Sequence, residues 1–188
     1  MEGLKRKWNW LQVSSVVIIA LLTLEVILLM TQNRQLRETC AVSSGGIMKS
    51  GEQVQEFDMI SFDNAIHPFK YSDRAKQYLF FILSPGCSYC ENNLVQWNMI
   101  FASSRNRNVD IFGISLSPAE IAASYVTEKN IPFNTVAVDS SFARKYKVVG
   151  TPQTMLINGD GTVQQVWVGE LNENQTNEIR ELISSETR

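Results

Sequence analysis

Two of the three cysteines in this sequence, Cys87 and Cys90, are separated by two residues in SPGCSYCENN (84–93). Thiols at that spacing can exchange a disulfide with a partner. One thiolate attacks, and the second thiol resolves the mixed disulfide that results. The chemistry needs the first thiol acidified. A helix N-terminus does this, because its unpaired N–H groups and its dipole stabilise a thiolate. A purely structural pair is the alternative, and the surrounding elements must decide between them.

QYLFFIL (77–83) is a continuous apolar run of strand length, as expected for a strand buried on both faces. SPGC then breaks the chain. ENNLVQWNMIFASS follows as a helix with Leu94, Trp97 and Phe101 on one face. Cys87 therefore falls where a buried strand ends and a helix begins. Upstream, FDMISFDNAIHPFKY (57–71) reads as a β-hairpin turning at Asp63-Asn64. Downstream, VDIFGISL (109–116) is a second buried strand. SPAEIAASYVTEKN (117–130) is a helix, with Ser117 as N-cap, Pro118 in the first helical position and Glu120 completing a capping box. FNTVAVD (133–139) is a strand and residues 140–146 a short helix. QTMLI (153–157) and VQQVWVG (163–169) are strands joined by the turn sequence NGDGT. LNENQTNEIRELISS closes the chain as a helix, with Leu171, Ile179, Leu182 and Ile183 facing inward. Alternating βα units ending in a hairpin and a helix predict an α/β fold: a mixed sheet with helices on both faces. Pro152 stands just before a strand in VVGTPQTMLINGDG (148–161), a place suited to a cis-peptide turn.

The first 50 residues read differently. Leu11 to Met30, LQVSSVVIIALLTLEVILLM, is long enough as a helix to cross a hydrocarbon core of about 30 Å. Lys5, Arg6 and Lys7 precede it, with Trp8 and Trp10 suited to the interface; Arg34 and Arg37 follow. That asymmetry predicts a cytoplasmic N-terminus (1–10), a transmembrane helix (11–31), a linker (32–50) and an exoplasmic domain (51–188). A cleaved signal peptide is the competing reading, but the run is long for one and no A-x-A-like site follows. Glu25 lies inside the span, placed to snorkel toward the outer interface or to pair with a partner helix.

The formal net charge of −2 gives no reason to expect nucleic acid. A single histidine, His67, argues against a Cys/His zinc site, so no metal and no cofactor is expected. Cys40, in the linker, is a free thiol or pairs between two chains. Trp97 and Trp167 read as core, Asp139 as a strand-end cap, Asp160 as a turn residue, and Lys145 and Lys147 as a solvated face. The Asn174-Gln175-Thr176 sequon reads as chance.

The C-x-x-C after YLFFILSPGC, the Thr151-Pro152 pair and the INGDG hairpin together resemble the thioredoxin fold. More narrowly, they resemble the TlpA/ResA-type membrane-anchored thiol-disulfide oxidoreductases of the AhpC/TSA–redoxin superfamily. The likeness covers about residues 50 to 185, and residues 117–139 match that group's αβ insertion. The SP-x-C lead-in, with Pro85, is similar to the methylamine-utilisation accessory protein of the same group. The resemblance implies a periplasmic redox domain on a bacterial inner-membrane anchor. Cys87 would be the nucleophile, Cys90 the resolving thiol, and cis-Pro152 the substrate-docking residue. It implies a protein disulfide or dithiol as partner, in cytochrome c or redox-enzyme maturation, and a membrane electron donor if the protein is a reductant. Two positions depart from the pattern. Asn93 stands where ResA-type reductases carry glutamate, and Phe81 where thioredoxins carry a buried aspartate. Tyr89, with Thr151, is closer to isomerases of the DsbC kind.

Three rivals share this scaffold. A peroxiredoxin pattern, P-x-x-x-[ST]-x-x-C, is met at Ser84 but fails at Phe80. A Sco-type copper chaperone needs three residues between its cysteines and a late histidine, whereas His67 lies upstream. A redox-inert interaction module would not need both cysteines.

Overall fold

The computed structural model describes residues 10–40, 46–105 and 107–185. Two compact units emerge, an N-terminal helix and a folded domain. The helix, α1, runs Trp10–Cys40. Its apolar stretch, Val13–Thr31, is a candidate membrane span of 19 residues. At ~1.5 Å per residue that is about 28 Å, enough for a hydrocarbon core. Side chains along it, such as Leu21, Leu22, Ile27 and Leu29, are exposed. Residues 1–9, with the basic cluster and Trp8, and the side chains of Arg34, Arg37 and Cys40 lie outside the described residues.

The domain follows the predicted order of elements. The hairpin is β1 (Phe57–Ile60) and β2 (Ile66–Phe69). After it come β3 (Gln77–Leu83), α2 (Ser88–Ser103), β4 (Val109–Ser115), α3 (Ala119–Lys129), β5 (Asn134–Ala137) and α4 (Ser141–Lys145). The chain closes with β6 (Gln153–Ile157), β7 (Val163–Val168) and α5 (Glu173–Ser185). The strands form one seven-stranded sheet in the order β2-β1-β5-β4-β3-β6-β7. β3 and β5 flank β4 in parallel, while β6 runs antiparallel to β3 and β7 antiparallel to β6. Asn64, at φ 62, takes the left-handed position of the β1–β2 turn, as its side chain allows.

β3 is the keystone. All seven of its residues are buried, as its unbroken apolar sequence predicts. Leu79, Phe81 and Leu83 pack with Trp97 of α2, Tyr125 of α3 and Ile179 of α5 on one face. Tyr78, Phe80 and Ile82 pack with Phe142 of α4 and Phe69 of the hairpin on the other. Trp97 and Trp167 are both core residues, as expected. Asp139 Oδ1 accepts from the Ser141 N–H at 2.5 Å, the expected strand-end cap. Asp160 Oδ1 accepts from the Thr162 N–H at 2.9 Å in the β6–β7 turn.

Three details differ from the sequence reading. Helix α3 begins at Ala119, with Pro118 as its N-cap residue and no side-chain cap. The Ser117 hydroxyl instead lies 3.4 Å from that of Ser84, and the Ser117 N–H is taken by Ser115 Oγ at 3.2 Å, so no capping box forms. Lys147 does not belong to a solvated face. It adopts φ 49 and reaches Glu52 at 2.7 Å. The chain also packs earlier than its polar Gly/Ser composition suggests. Met48 is buried, and the Gly51 N–H donates to Val163 O at 2.8 Å, so the end of the expected linker is held against β7.

Candidate active site

β3 ends at Leu83, and Ser84-Pro85-Gly86-Cys87 turns the chain into α2. The Cys87 N–H donates to Ser84 O at 3.2 Å. Pro85 presets φ at the second position, and Gly86, at φ 80, supplies the positive φ of the third. Cys87 is thereby the N-cap of α2, with φ −86 and ψ 109. Its carbonyl accepts the first helical bonds, from Cys90 N at 3.0 Å and Glu91 N at 3.1 Å. Its sulfur accepts from the Cys90 N–H at 3.4 Å, the capping interaction usually made by a serine or aspartate oxygen. Both cysteines are free thiols; Cys87 is partly exposed and Cys90 fully buried.

The environments push the two thiols apart. Burial alone would raise the pKa of Cys87. Hydrogen bonds from the Cys90 thiol and the Cys90 backbone N–H outweigh it, and bring Cys87 below an ordinary cysteine. Burial pushes Cys90 up to about 12, reinforced by the neighbouring Cys87. One sulfur is accessible and easily ionised, and the other is buried and holds its proton. That is the asymmetry an attacking and a resolving thiol require.

Opposite the pair lies the turn into β6. The Thr151-Pro152 peptide is cis, as Pro152 predicts. Thr151 O accepts from the Cys87 thiol at 3.4 Å, which brings Thr151-Pro152 against Cys87 as the sequence proposed. Pro152 is buried, and its carbonyl accepts from the Gly169 N–H at 2.8 Å, fixing the turn to the end of β7. β6 is tied to α2 by a second bond, from Trp97 Nε1 to Thr154 Oγ1 at 2.9 Å between two fully buried residues. Phe81 stacks on Trp97 with ring centroids 5.0 Å apart, so an aromatic layer lies beneath the cysteines at the position where thioredoxins carry an aspartate.

The supporting residues fall into two groups. Tyr89 is exposed at the start of α2, and Pro85 is half-buried in the turn. Asn93 is buried one helical turn beyond Cys90. Its Oδ1 accepts from the Leu171 N–H at 2.8 Å, tying α2 to the chain entering α5, while its Nδ2 has no partner. His67 is exposed on β2, with three strands between β2 and β3 in the sheet order, so it does not join the cysteines. Among the described residues there is no cluster of three His, Cys, Asp or Glu able to hold a metal.

The sequence missed three neighbours. Glu91, directly after Cys90, pairs with Lys129 of α3 at 3.2 Å. Tyr125, on the same helix, is buried with its hydroxyl unpartnered. Gln153, next to Pro152, is fully buried with both side-chain polar atoms unpartnered. Only the polar residue inside the apolar QTMLI run could have drawn attention to Gln153. The other two depend on how α3 docks.

A C-x-x-C pair at the start of a helix, facing a cis-proline across a mixed sheet, defines a thioredoxin-like fold. The thioredoxin domain of a thiol-disulfide oxidoreductase from Bacteroides vulgatus superposes with a TM-score of 0.60 at 14% identity, covering 72% of this chain and 99% of that one. StoA from Bacillus subtilis gives 0.56 at 13%, over 69% and 98%. A secreted Mycobacterium tuberculosis disulfide oxidoreductase homologous to Escherichia coli DsbE gives 0.54 at 19%, over 67% and 95%. No curated protein matches the sequence. The chain belongs to the AhpC/TSA family, whose model matches residues 50–166.

Proposed function

We propose that this protein is a membrane-tethered thiol-disulfide oxidoreductase of the TlpA/ResA type, acting on proteins outside the cytoplasm. The observation that carries the reading is the unequal pair at the head of α2. Cys87 is acidified and accessible, Cys90 is buried and protonated, and Thr151-Pro152 faces the first sulfur. In the reducing direction, the Cys87 thiolate attacks a substrate disulfide and expels one substrate thiolate. Cys90 then loses its proton and attacks the Cys87 sulfur. The second substrate thiolate leaves and is protonated, and a Cys87–Cys90 disulfide remains. Two electrons pass to the substrate, and a membrane electron donor restores the dithiol. In the oxidising direction the same steps run backward. No cofactor takes part.

Residues 85–89 and Thr151 form the docking rim, with exposed Tyr89 as its apolar contact and half-buried Thr151, shaped by the buried cis-Pro152 behind it, meeting the substrate backbone. α1 anchors the protein with its N-terminus inside and the domain on the outer face, in line with the basic residues ahead of the span. Cytochrome c or periplasmic redox-enzyme maturation is the role that fits such a tether. The test is trapping. In membranes, a Cys90→Ser variant should accumulate mixed disulfides through Cys87 that vanish with reductant. A Cys90→Ser variant with no adducts, together with rapid peroxide consumption by the wild type, would favour a thiol peroxidase instead.

A further inference from the structure

Glu25 is the only ionisable residue in the span Val13–Thr31. It stands six residues before Thr31, about 9 Å along the helix axis from that end. A glutamate side chain does not bridge that distance, and it starts in the wrong direction. Every Cα–Cβ bond in a helix tilts toward the N-terminus. The Glu25 side chain therefore leans away from the nearer interface and toward the middle of the span. Snorkelling to the outer face, one of the two fates the sequence allows, is opposed by this geometry. The two threonines of the span need no neighbour, because Thr23 Oγ1 donates to Ala20 O at 2.9 Å and Thr31 Oγ1 to Leu28 O at 2.8 Å. Glu25 is exposed on the helix surface and makes no hydrogen bond or ion pair with another described residue. A carboxyl group at that depth in hydrocarbon is costly unless it faces a partner or a water-filled cavity.

The residues in line with it form a seam. Ser14, Ile18, Leu21, Glu25 and Leu28 follow one another at intervals of four, three, four and three, the 3.5-residue repeat of helices that supercoil side by side. We infer that this seam packs against the same seam of a second copy of the chain, and that the two Glu25 carboxyl groups hydrogen-bond to each other across the pair. The inference rests on the membrane-tether reading. The basic residues ahead of the span insert every copy the same way round, so a parallel partner carries its own Glu25 at the same depth. An uncharged carboxyl group has one O–H donor and one carbonyl acceptor, so it is complementary to itself. Ser14 is small and lets the two backbones approach at the other end of the seam. The span carries no lysine, arginine or histidine, so within a pair of copies the match for Glu25 is Glu25. Such a pair sets two thiol-disulfide domains on one anchor.

The test is cysteine cross-linking of the full-length chain in native membranes. Cys40, Cys87 and Cys90 are replaced by serine, and one cysteine at a time is placed in the span. Copper-phenanthroline with dissolved oxygen is the oxidant that couples two facing thiols into a disulfide. Leu21→Cys and Leu28→Cys, on the seam, should give dimer. Ala20→Cys and Ile27→Cys, each turned about 100° from its seam neighbour, should give little. In the Leu28→Cys chain, Glu25→Leu should weaken association about tenfold, read as the lipid dilution that halves cross-linking. Glu25→Gln should stay within about twofold of the parent, since an amide also donates and accepts. Equal cross-linking on both faces, none on either, or a Glu25→Leu chain that associates like its parent would overturn the seam. Glu25→Gln falling as far as Glu25→Leu would also overturn it, and would point to a cation on a different membrane protein. A chain that leaves the membrane in alkaline carbonate, or loses its first residues on export, would instead overturn the tether reading.

Discussion

Replacing Thr154 with valine removes one acceptor and changes little else, since the two side chains have nearly the same shape. Trp97 Nε1 donates to Thr154 Oγ1 at 2.9 Å, and both residues are fully buried. In Thr154→Val the indole N–H stays in the core with no partner in place of the lost hydroxyl. Orphaning a buried donor costs about 1–3 kcal/mol. Taking about 2 kcal/mol, the folding equilibrium shifts by a factor of about 30. With a urea dependence of about 2 kcal/mol per molar, the denaturation midpoint falls by about 1 M. Denaturation of the full-length reduced protein, followed by tryptophan fluorescence, reads this directly. The sharper arm repeats the substitution in a Trp97→Phe background, where no donor remains to be orphaned. There Thr154→Val should cost less than about 0.5 kcal/mol. If it costs as much in both backgrounds, the hydrogen bond is not what holds α2 to β6, and the reasoning fails.

Cys90 gives the reduced protein an alkaline weakness. The folded thiol keeps its proton up to about 12, whereas an unfolded cysteine loses it near about 8.5. The folded state therefore binds more protons above about 8.5, and stability should fall as pH rises from there toward 12. Urea midpoints from pH 8 to 10 should drop further in the parent than in Cys90→Ala, where only the buried Tyr71 and Tyr125, both pushed up by burial, leave a smaller fall close to pH 10; an equal drop in both would count against the buried thiol. Gly159→Ala should destabilise by about 2 kcal/mol or more, because its new methyl would run into the backbone of Asp73 and Arg74, which cannot yield as a flexible side chain can. A thermal midpoint unchanged by that substitution would refute the close approach. Gln153→Leu should be neutral or stabilising, since both polar atoms of the glutamine are buried without partners. A loss above about 1 kcal/mol in urea would mean the amide has a partner after all.

What could be read in advance was what burial and turn chemistry impose locally. QYLFFIL is legible because a strand buried on both faces must be apolar at every position. The start of α2 is legible because Pro85 and Gly86 stop that strand at a turn with a fixed backbone shape. Pro152 is legible because a proline cannot donate inside a sheet and so marks its entry. What escaped depends on contacts distant in sequence. Ser117 looks like an N-cap, yet its hydroxyl lies beside Ser84, 33 residues away, at the mouth of the parallel strands. Lys147 looks like surface, yet Glu52 draws it in from 95 residues away. Asn93 stands where the resemblance leads one to expect a glutamate, but its bond to Leu171 N ties together two elements whose meeting no local pattern encodes. The Tyr125, Lys129 and Glu91 group is hidden for the same reason.

The central claim is that Cys87 and Cys90 form a reversible redox couple. Its direct test is the reduction potential of the full-length Cys40→Ser protein, titrated against dithiothreitol and glutathione buffers. The account predicts one two-electron transition that is lost in Cys87→Ser and Cys90→Ser. A midpoint near about −270 mV would mark a reductase, and one between about −120 and −180 mV an oxidant or isomerase. Thiols that never form a reversible intramolecular disulfide under any buffer would contradict it, and leave the fold as a scaffold without redox chemistry.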